Sequence, residues 1–217
     1  ATKVDLSGGG GAGVLAANSN NFVINNAAAT TLVWTTHPAN PTVAGDDLLP
    51  VIEIRDTYAN VVTIGVDATA LVTLSMNTGT GSLNGTVAKQ ATAGVVAFLA
   101  AQSVDITVSG TKSLTATKAD LSGGGGAGSF AANSNNFVIN NAPATTLVWT
   151  THPANPTVAG DDLLPVIEIR DTYANVVTTG IDATALITLS MNTGTGSLNG
   201  TVAKQATAGV VAFLAAQ

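Results

Sequence analysis

Leu48-Leu49-Pro50-Val51-Ile52-Glu53-Ile54-Arg55-Asp56 decides the fold, and the chain carries it twice. The run returns unchanged as Leu163-Leu164-Pro165-Val166-Ile167-Glu168-Ile169-Arg170-Asp171, displaced by 115 residues. Within it, Ile52 and Ile54 alternate with Val51, Glu53 and Arg55. A period of two puts the isoleucines on one face of a strand and the charged residues on the other. The stretch therefore predicts a β-strand packed on one face and wet on the other, as in an antiparallel sheet.

The repetition extends outward from that strand. Residues 1–102 align without a gap to residues 116–217, and the copies differ only at Val4/Ala119, Val14/Ser129, Leu15/Phe130, Ala28/Pro143, Ile64/Thr179, Val66/Ile181 and Val72/Ile187. A period of 115 exceeds the roughly 20–50 residues of solenoid and propeller repeats. It matches a whole domain, usually about 100–150 residues. Each copy is thus expected to hold its own core.

Short runs of Val, Ile, Thr and Leu between Gly, Asn, Asp and Pro clusters predict further strands. They lie at Thr31–Thr36, Leu49–Arg55, Asn60–Thr63, Ala70–Met76, Val95–Leu99, Val104–Ser109, Ser113–Lys118 and Asn136–Ile139. Val72, Leu74 and Met76 oppose Thr73 and Ser75; Val104, Ile106 and Val108 oppose Asp105 and Thr107. Helical periodicity is nearly missing. Ser109-Gly110-Thr111-Lys112 reads as a hairpin, and Asn84-Gly85 and Asn199-Gly200 read as tight turns. Ser7–Gly13 and Ser122–Gly128 read as glycine-rich surface loops. About seven strands in some 110 residues suit a sandwich of two sheets.

The module boundaries fall at the linkers 25–30 and 140–145. Residues 1–24 are then terminal strands of a preceding or complementing module. Residues 31–139 are a complete module, and 146–217 a module without its last strands, the counterpart of Ser103–Ile139. The chain opens at Ala1 with no visible signal peptide, which reads as a mature or cropped sequence.

Composition narrows the function classes. Cysteine is absent, so thiolate metal sites and cysteine nucleophiles are excluded. Charged residues make up 9% and the net charge is −6; a chain so poor in lysine cannot neutralise a phosphate backbone, so nucleic acid is not an expected partner. The longest apolar run, Ala93–Ala101, is half the length of a membrane-spanning helix.

Candidate chemistry is sparse. His37 and His152 each precede a proline, which favours an extended strand end, and no nucleophile motif lies near them. They read as structural or solvent-exposed, so no catalytic residue is assigned and no enzyme is expected. Asp46, Asp47, Asp56, Asn60 and Asp67 offer oxygens for calcium, but without the spacing of a calcium loop. Turn-forming and capping roles account for them, and a metal site is left open. Gly8–Gly13 fits a dinucleotide fingerprint only because consecutive glycines fit almost any, and no helix follows to receive a phosphate; no cofactor is expected. Asn84-Gly85-Thr86 is a glycosylation sequon that its turn role already explains. Trp34 and Trp149 alternate with Leu32 and Leu147 and read as core residues rather than a sugar-stacking platform.

Several segments together resemble a known family. Leu32-Val-Trp-Thr-Thr-His-Pro38, Ala44-Gly45, Val51-Ile-Glu-Ile-Arg-Asp56 with Tyr58, Asn60, Val61 and Val62, Gly81-Ser-Leu-Asn-Gly-Thr86, Gly94-Val-Val-Ala-Phe98, Leu114-Thr-Ala-Thr117 and Asn136-Phe-Val-Ile139 are similar to the bacterial immunoglobulin-like repeats of large surface proteins. The family usually has a glycine before the asparagine of the turn after the arginine–aspartate strand; this chain has Ala59. The resemblance implies tandem immunoglobulin-like β-sandwich modules in an extracellular fibre, stalk or adhesin. Two alternatives stand beside that reading: an adhesive module that binds surface carbohydrate or host protein by avidity, and a self-assembling filament subunit completed by strand exchange between copies.

Overall fold

A computed structural model describes residues 1–3, 15–119 and 128–214. The glycine loops at Ser7–Gly13 and Ser122–Gly128, with the fingerprint Gly8–Gly13, fall outside the described residues except for Gly128. The protein is all-β, its only described helices being 3-10 turns at Val66–Thr69, Ala100–Gln102 and Ile181–Thr184.

The strands run β1 (Thr2–Lys3), β2 (Leu15–Ala16), β3 (Ala29–Thr36), β4 (Thr42–Val43), β5 (Val51–Asp56), β6 (Leu71–Thr78), β7 (Ala88–Gln90), β8 (Val95–Ala97), β9 (Gly110–Lys118), β10 (Phe130–Asn133) and β11 (Phe137–Asn140). The second copy follows with β12 (Ala144–Thr151), β13 (Val166–Asp171), β14 (Leu186–Thr188), β15 (Ala203–Gln205) and β16 (Val210–Ala212). In the first copy, β3, β5 and β8 form one antiparallel sheet in that order, and β4-β11-β9-β6-β7 form another. β9 is long enough to serve two partners on one edge. Its start pairs with β11 and its end with β10. Between them Ser134 bridges the change of partner, its Oγ accepting from Leu114 N–H at 2.9 Å and its N–H donating to Leu114 O at 2.8 Å.

The buried face of each strand explains the pairing. Leu32, Trp34, Ile52, Ile54 and Val96 from one sheet join Val72, Leu74, Leu114, Ala116, Phe137 and Ile139 from the other in one core. Each Val, Leu, Ile or Phe among them contributes roughly 1.5–3 kcal/mol on burial. In β3 the buried parity changes from Ala29 to Leu32, and a register shift between Ala29 and Thr31 accounts for it, as an extra residue in one strand does.

A second core holds Ile167, Ile169, Val177, Ile187, Ala206, Val211 and Phe213. Ala142 belongs to the first core and Ala144 packs on the second, so the chain passes between them across the exposed Pro143. The sheet β12-β13-β16 repeats the register of β3-β5-β8, and β14-β15 repeats β6-β7.

Several expectations change here. Val104–Ser109 is not a strand: Val104 and Ile106 are buried as the alternation requires, but their carbonyls accept from Leu48 and Gly45 in a loop. Asn60–Thr63 makes only an isolated bridge, Val61 to Arg55. Ser109–Lys112 is no hairpin, since Gly110 already opens β9. Strands β4, β7 and β10 have no counterpart in the sequence reading. Leu147 and Trp149, expected in the core, are 54% and 42% exposed, against 6% and 8% for Leu32 and Trp34. In the second copy a groove of about 850 Å³ is lined by Val158, Leu163, Leu189, Leu198, Val202 and Phe213.

Candidate functional site

The candidate site is the contact between the two copies, and it is built from a turn. Asp171 closes β13, and Thr172–Asn175 reverse the chain behind it. The Asp171 carboxylate organises that turn: Oδ1 accepts from the N–H groups of Tyr173 and Asn175, both at 2.9 Å. Oδ2 accepts from Ala142 N–H at 2.9 Å and from Asn175 Nδ2 at 2.8 Å. Burial raises the pKa of this carboxyl, but the side-chain bond from Asn175 and the backbone bonds from Ala142, Asn175 and Tyr173 outweigh it, holding the group below the ordinary aspartate value. Hydrogen bonds to the charged form have that effect. A single carboxylate thus fixes the turn and ties it to the incoming linker.

The residue before Ala142 completes the hold on the linker. Asn141 Oδ1 accepts from the N–H groups of Thr178 and Thr179, both at 3.0 Å, and from the Thr179 hydroxyl at 2.9 Å. The first copy has Ile64 in place of Thr179, so Asn26 receives the two backbone bonds, at 3.1 and 3.2 Å, without the short hydroxyl bond.

Held in this way, the turn reaches the first copy. Asn175 Nδ2 donates to Thr107 O at 2.8 Å, and Asn175 Oδ1 accepts from Ser109 N–H at 3.0 Å. One amide therefore engages both backbone polarities of a single loop. Tyr173 lies against Gly45, which has φ +86°, and a Cβ there would overlap the Tyr173 hydroxyl and sit 2.7 Å from ring carbon Cζ. Lys112 supports the receiving loop from beneath, donating from Nζ to Ser109 O at 3.1 Å. Burial pushes the Lys112 amine below its ordinary value. The first copy carries the same turn in a more exposed setting: Tyr58 is 76% exposed, Tyr173 43%.

The residues singled out in the sequence sit elsewhere or in other roles. His37 stacks on Trp34, ring centroids 5.8 Å apart, and its Nδ1 accepts from Asn135 N–H at 3.0 Å; His152 stacks on Trp149 in the same way. Asp56 and Asn60 come together in the first copy's version of the turn, with Asn60 Nδ2 3.1 Å from Asp56 Oδ2. Asp67 is drawn away to Lys118, at 2.7 Å, where both side chains are buried and the ammonium lies over the Phe130 ring. Asp46 is exposed and Asp47 half-buried. Among the described residues, no three His, Cys, Asp or Glu side chains gather as a metal site would require. Asn84, of the sequon, donates to the Asp105 carboxylate at 2.8 Å. No described helix is long and apolar enough to cross a membrane.

Gly45, Thr107, Ser109, Lys112, Tyr173 and Asn175 were not legible as a site. Lys112 left a trace: it shares the buried parity of Leu114, Ala116 and Lys118 in β9, where a lysine is out of place unless partnered. Compared with family models, curated proteins and solved structures, the chain matches none.

Proposed function

We infer that the chain is a structural repeat of an extracellular fibre, stalk or adhesin, made of tandem immunoglobulin-like β-sandwich modules at 31–139 and 146–217. One observation carries this reading: the copies hold each other through Asn175 on Thr107 and Ser109, with Tyr173 on Gly45. The two sides of the contact use different loops of the repeat, that of Gly45 before β5 and that of the Tyr173 counterpart, Tyr58, after it, so the same rule can apply at every period. A head-to-tail contact that does not close on itself generates open strings. Two sheets over one core, in the orders β3-β5-β8 and β7-β6-β9-β11, support the sandwich assignment. With nine residues in β9 at about 3.3 Å each, a module adds some tens of ångströms of reach. The function is mechanical: projection by length, at a spacing set by the joint.

The test is immunogold imaging of intact cells with antibodies raised against the chain. Gold strung along surface filaments is the expected result. Label confined to the cell interior contradicts the reading.

The strand-exchange alternative has its own supporting observation. Phe22, Val23 and Ile24 are 75–84% exposed, while Phe137 and Ile139, the counterparts of Phe22 and Ile24, are 1% exposed as part of β11. The groove of the second copy is lined by Leu189 and Phe213, whose counterparts Leu74 and Phe98 belong to the first core together with Phe137 and Ile139. Concentration-dependent oligomers, abolished by Phe22→Asp and Ile24→Asp together, would favour this alternative; a monomer at all concentrations sinks it.

A further inference from the structure

We propose that the exposed Tyr58–Asn60 turn of the first copy is the vacant half of a second joint, and that its partner is another copy of the same repeat. That copy would present the counterparts of Gly45, Thr107 and Ser109. The inference rests on the end-to-end reading above and adds to it a specific partner and contact set.

Three observations converge on this surface. The turn is already in its docking shape: Asp56 accepts from Tyr58 N–H and Asn60 N–H, both at 2.9 Å, from Ala27 N–H at 2.8 Å and from Asn60 Nδ2 at 3.1 Å. This repeats the Asp171 network bond for bond, so no reorganisation separates the vacant turn from the occupied one. Next, the groups that bind in the second copy are left unused in the first. Tyr58 is 76% exposed, and among the described residues the Asn60 amide bonds only within its own turn. Finally, the approach is set by residues in the chain. Asn20–Ile24 repeat the sequence Asn135–Ile139 of the last strand in the complete copy, and Asn26 holds Thr63 and Ile64 as Asn141 holds Thr178 and Thr179.

The partner docks by being tethered. Two hydrogen bonds and one tyrosine make a small contact, which is weak between free molecules. A short linker raises the effective concentration to about the millimolar range, so the joint forms between consecutive copies along one chain.

The two tyrosines, Tyr58 and Tyr173, are the only ones in the chain, and the difference Ile64/Thr179 nearby lets their peptides be told apart by mass. Acetylation of tyrosine hydroxyls is measured in this chain and in a longer one, with residues 29–140 carrying Tyr58→Phe fused ahead of Asn26 in place of residues 1–25, so that the added copy contributes no tyrosine. In the present chain Tyr58 should react faster, by about the ratio of 76% to 43% exposure. In the longer chain Tyr58 should slow to the rate of Tyr173, and alanine at the added copy's counterpart of Gly45 should restore it. Tyr58 staying fast while Tyr173 is slow overturns the proposal and leaves the existing joint intact. Equal, fast rates for both in the present chain would instead remove the joint on which the functional reading stands, and the proposal with it.

Discussion

The Tyr173 hydroxyl of the second copy occupies the place where a side chain on Gly45 of the first would begin, whereas the equivalent Gly160 has open space around it. Both glycines have left-handed φ, +86° and +96°. The same backbone thus serves as a seat in one copy and as a plain turn in the other.

That difference makes a matched pair of variants. Gly160→Ala should cost only the left-handed strain, about 1–2 kcal/mol. Gly45→Ala adds a collision with Tyr173. Denaturant unfolding should show a loss of stability for Gly45→Ala at least as large as that for Gly160→Ala. Only Gly45→Ala should raise the reactivity of Tyr173 to that of Tyr58.

Ala59 and Ala174 hold φ of 66° and 65°, where the resembled family has glycine. The turn puts alanine in a left-handed conformation. Relief of roughly 1–2 kcal/mol is offset by the greater freedom glycine gives the unfolded chain, about 0.4–1 kcal/mol. Ala59→Gly should therefore raise stability by up to about 1.6 kcal/mol, read as a higher unfolding midpoint with unchanged slope.

Acid should loosen the turns. For both Asp56 and Asp171, burial raises the pKa, but the turn and linker hydrogen bonds outweigh it and leave the folded value below 3.8. A depressed folded pKa gives stability that is fully present above the unfolded value and is lost as pH falls through the folded one. Thermal unfolding should thus hold level from neutrality towards pH 4 and fall below pH 3.8. The double variant Asp56→Asn, Asp171→Asn should be less stable at neutral pH and show a shallower acid limb.

The buried Lys118–Asp67 pair ties β9 to the 3-10 turn before β6, with 0% and 7% of the side chains exposed. Removing one partner strands the other's charge in the core, a loss of about 3–5 kcal/mol. Lys118→Met should lower the unfolding free energy by that amount. Adding Asp67→Leu to it should recover much of the loss.

The sequence exposed the repeat and most core faces because both are written in one dimension. Ile52, Ile54, Val72 and Leu74 alternate in sequence and are buried in structure. Val104–Val108 shows where that signal stops. A period of two reports which side chains are buried, but not which backbone groups they bring with them, and here the carbonyls serve loops at Gly45 and Leu48. The joint was hidden for a different reason. Tyr173 and Asn175 are identical in the first copy to Tyr58 and Asn60, and nothing local says which pair meets a neighbour. That depends on Ser109 and Thr107, which lie 66 and 68 residues from Asn175, and only the folded chain brings them together.

Residual dipolar couplings of the two copies, fitted separately, test the end-to-end lock most directly. If Asn175 and Tyr173 fix the second copy on the first, both sets of couplings fit one alignment tensor, and Asn175→Ala with Tyr173→Ala splits them into two. Two independent tensors in the unaltered chain would mean that the copies tumble as loosely strung beads, and a fixed joint between them would be contradicted.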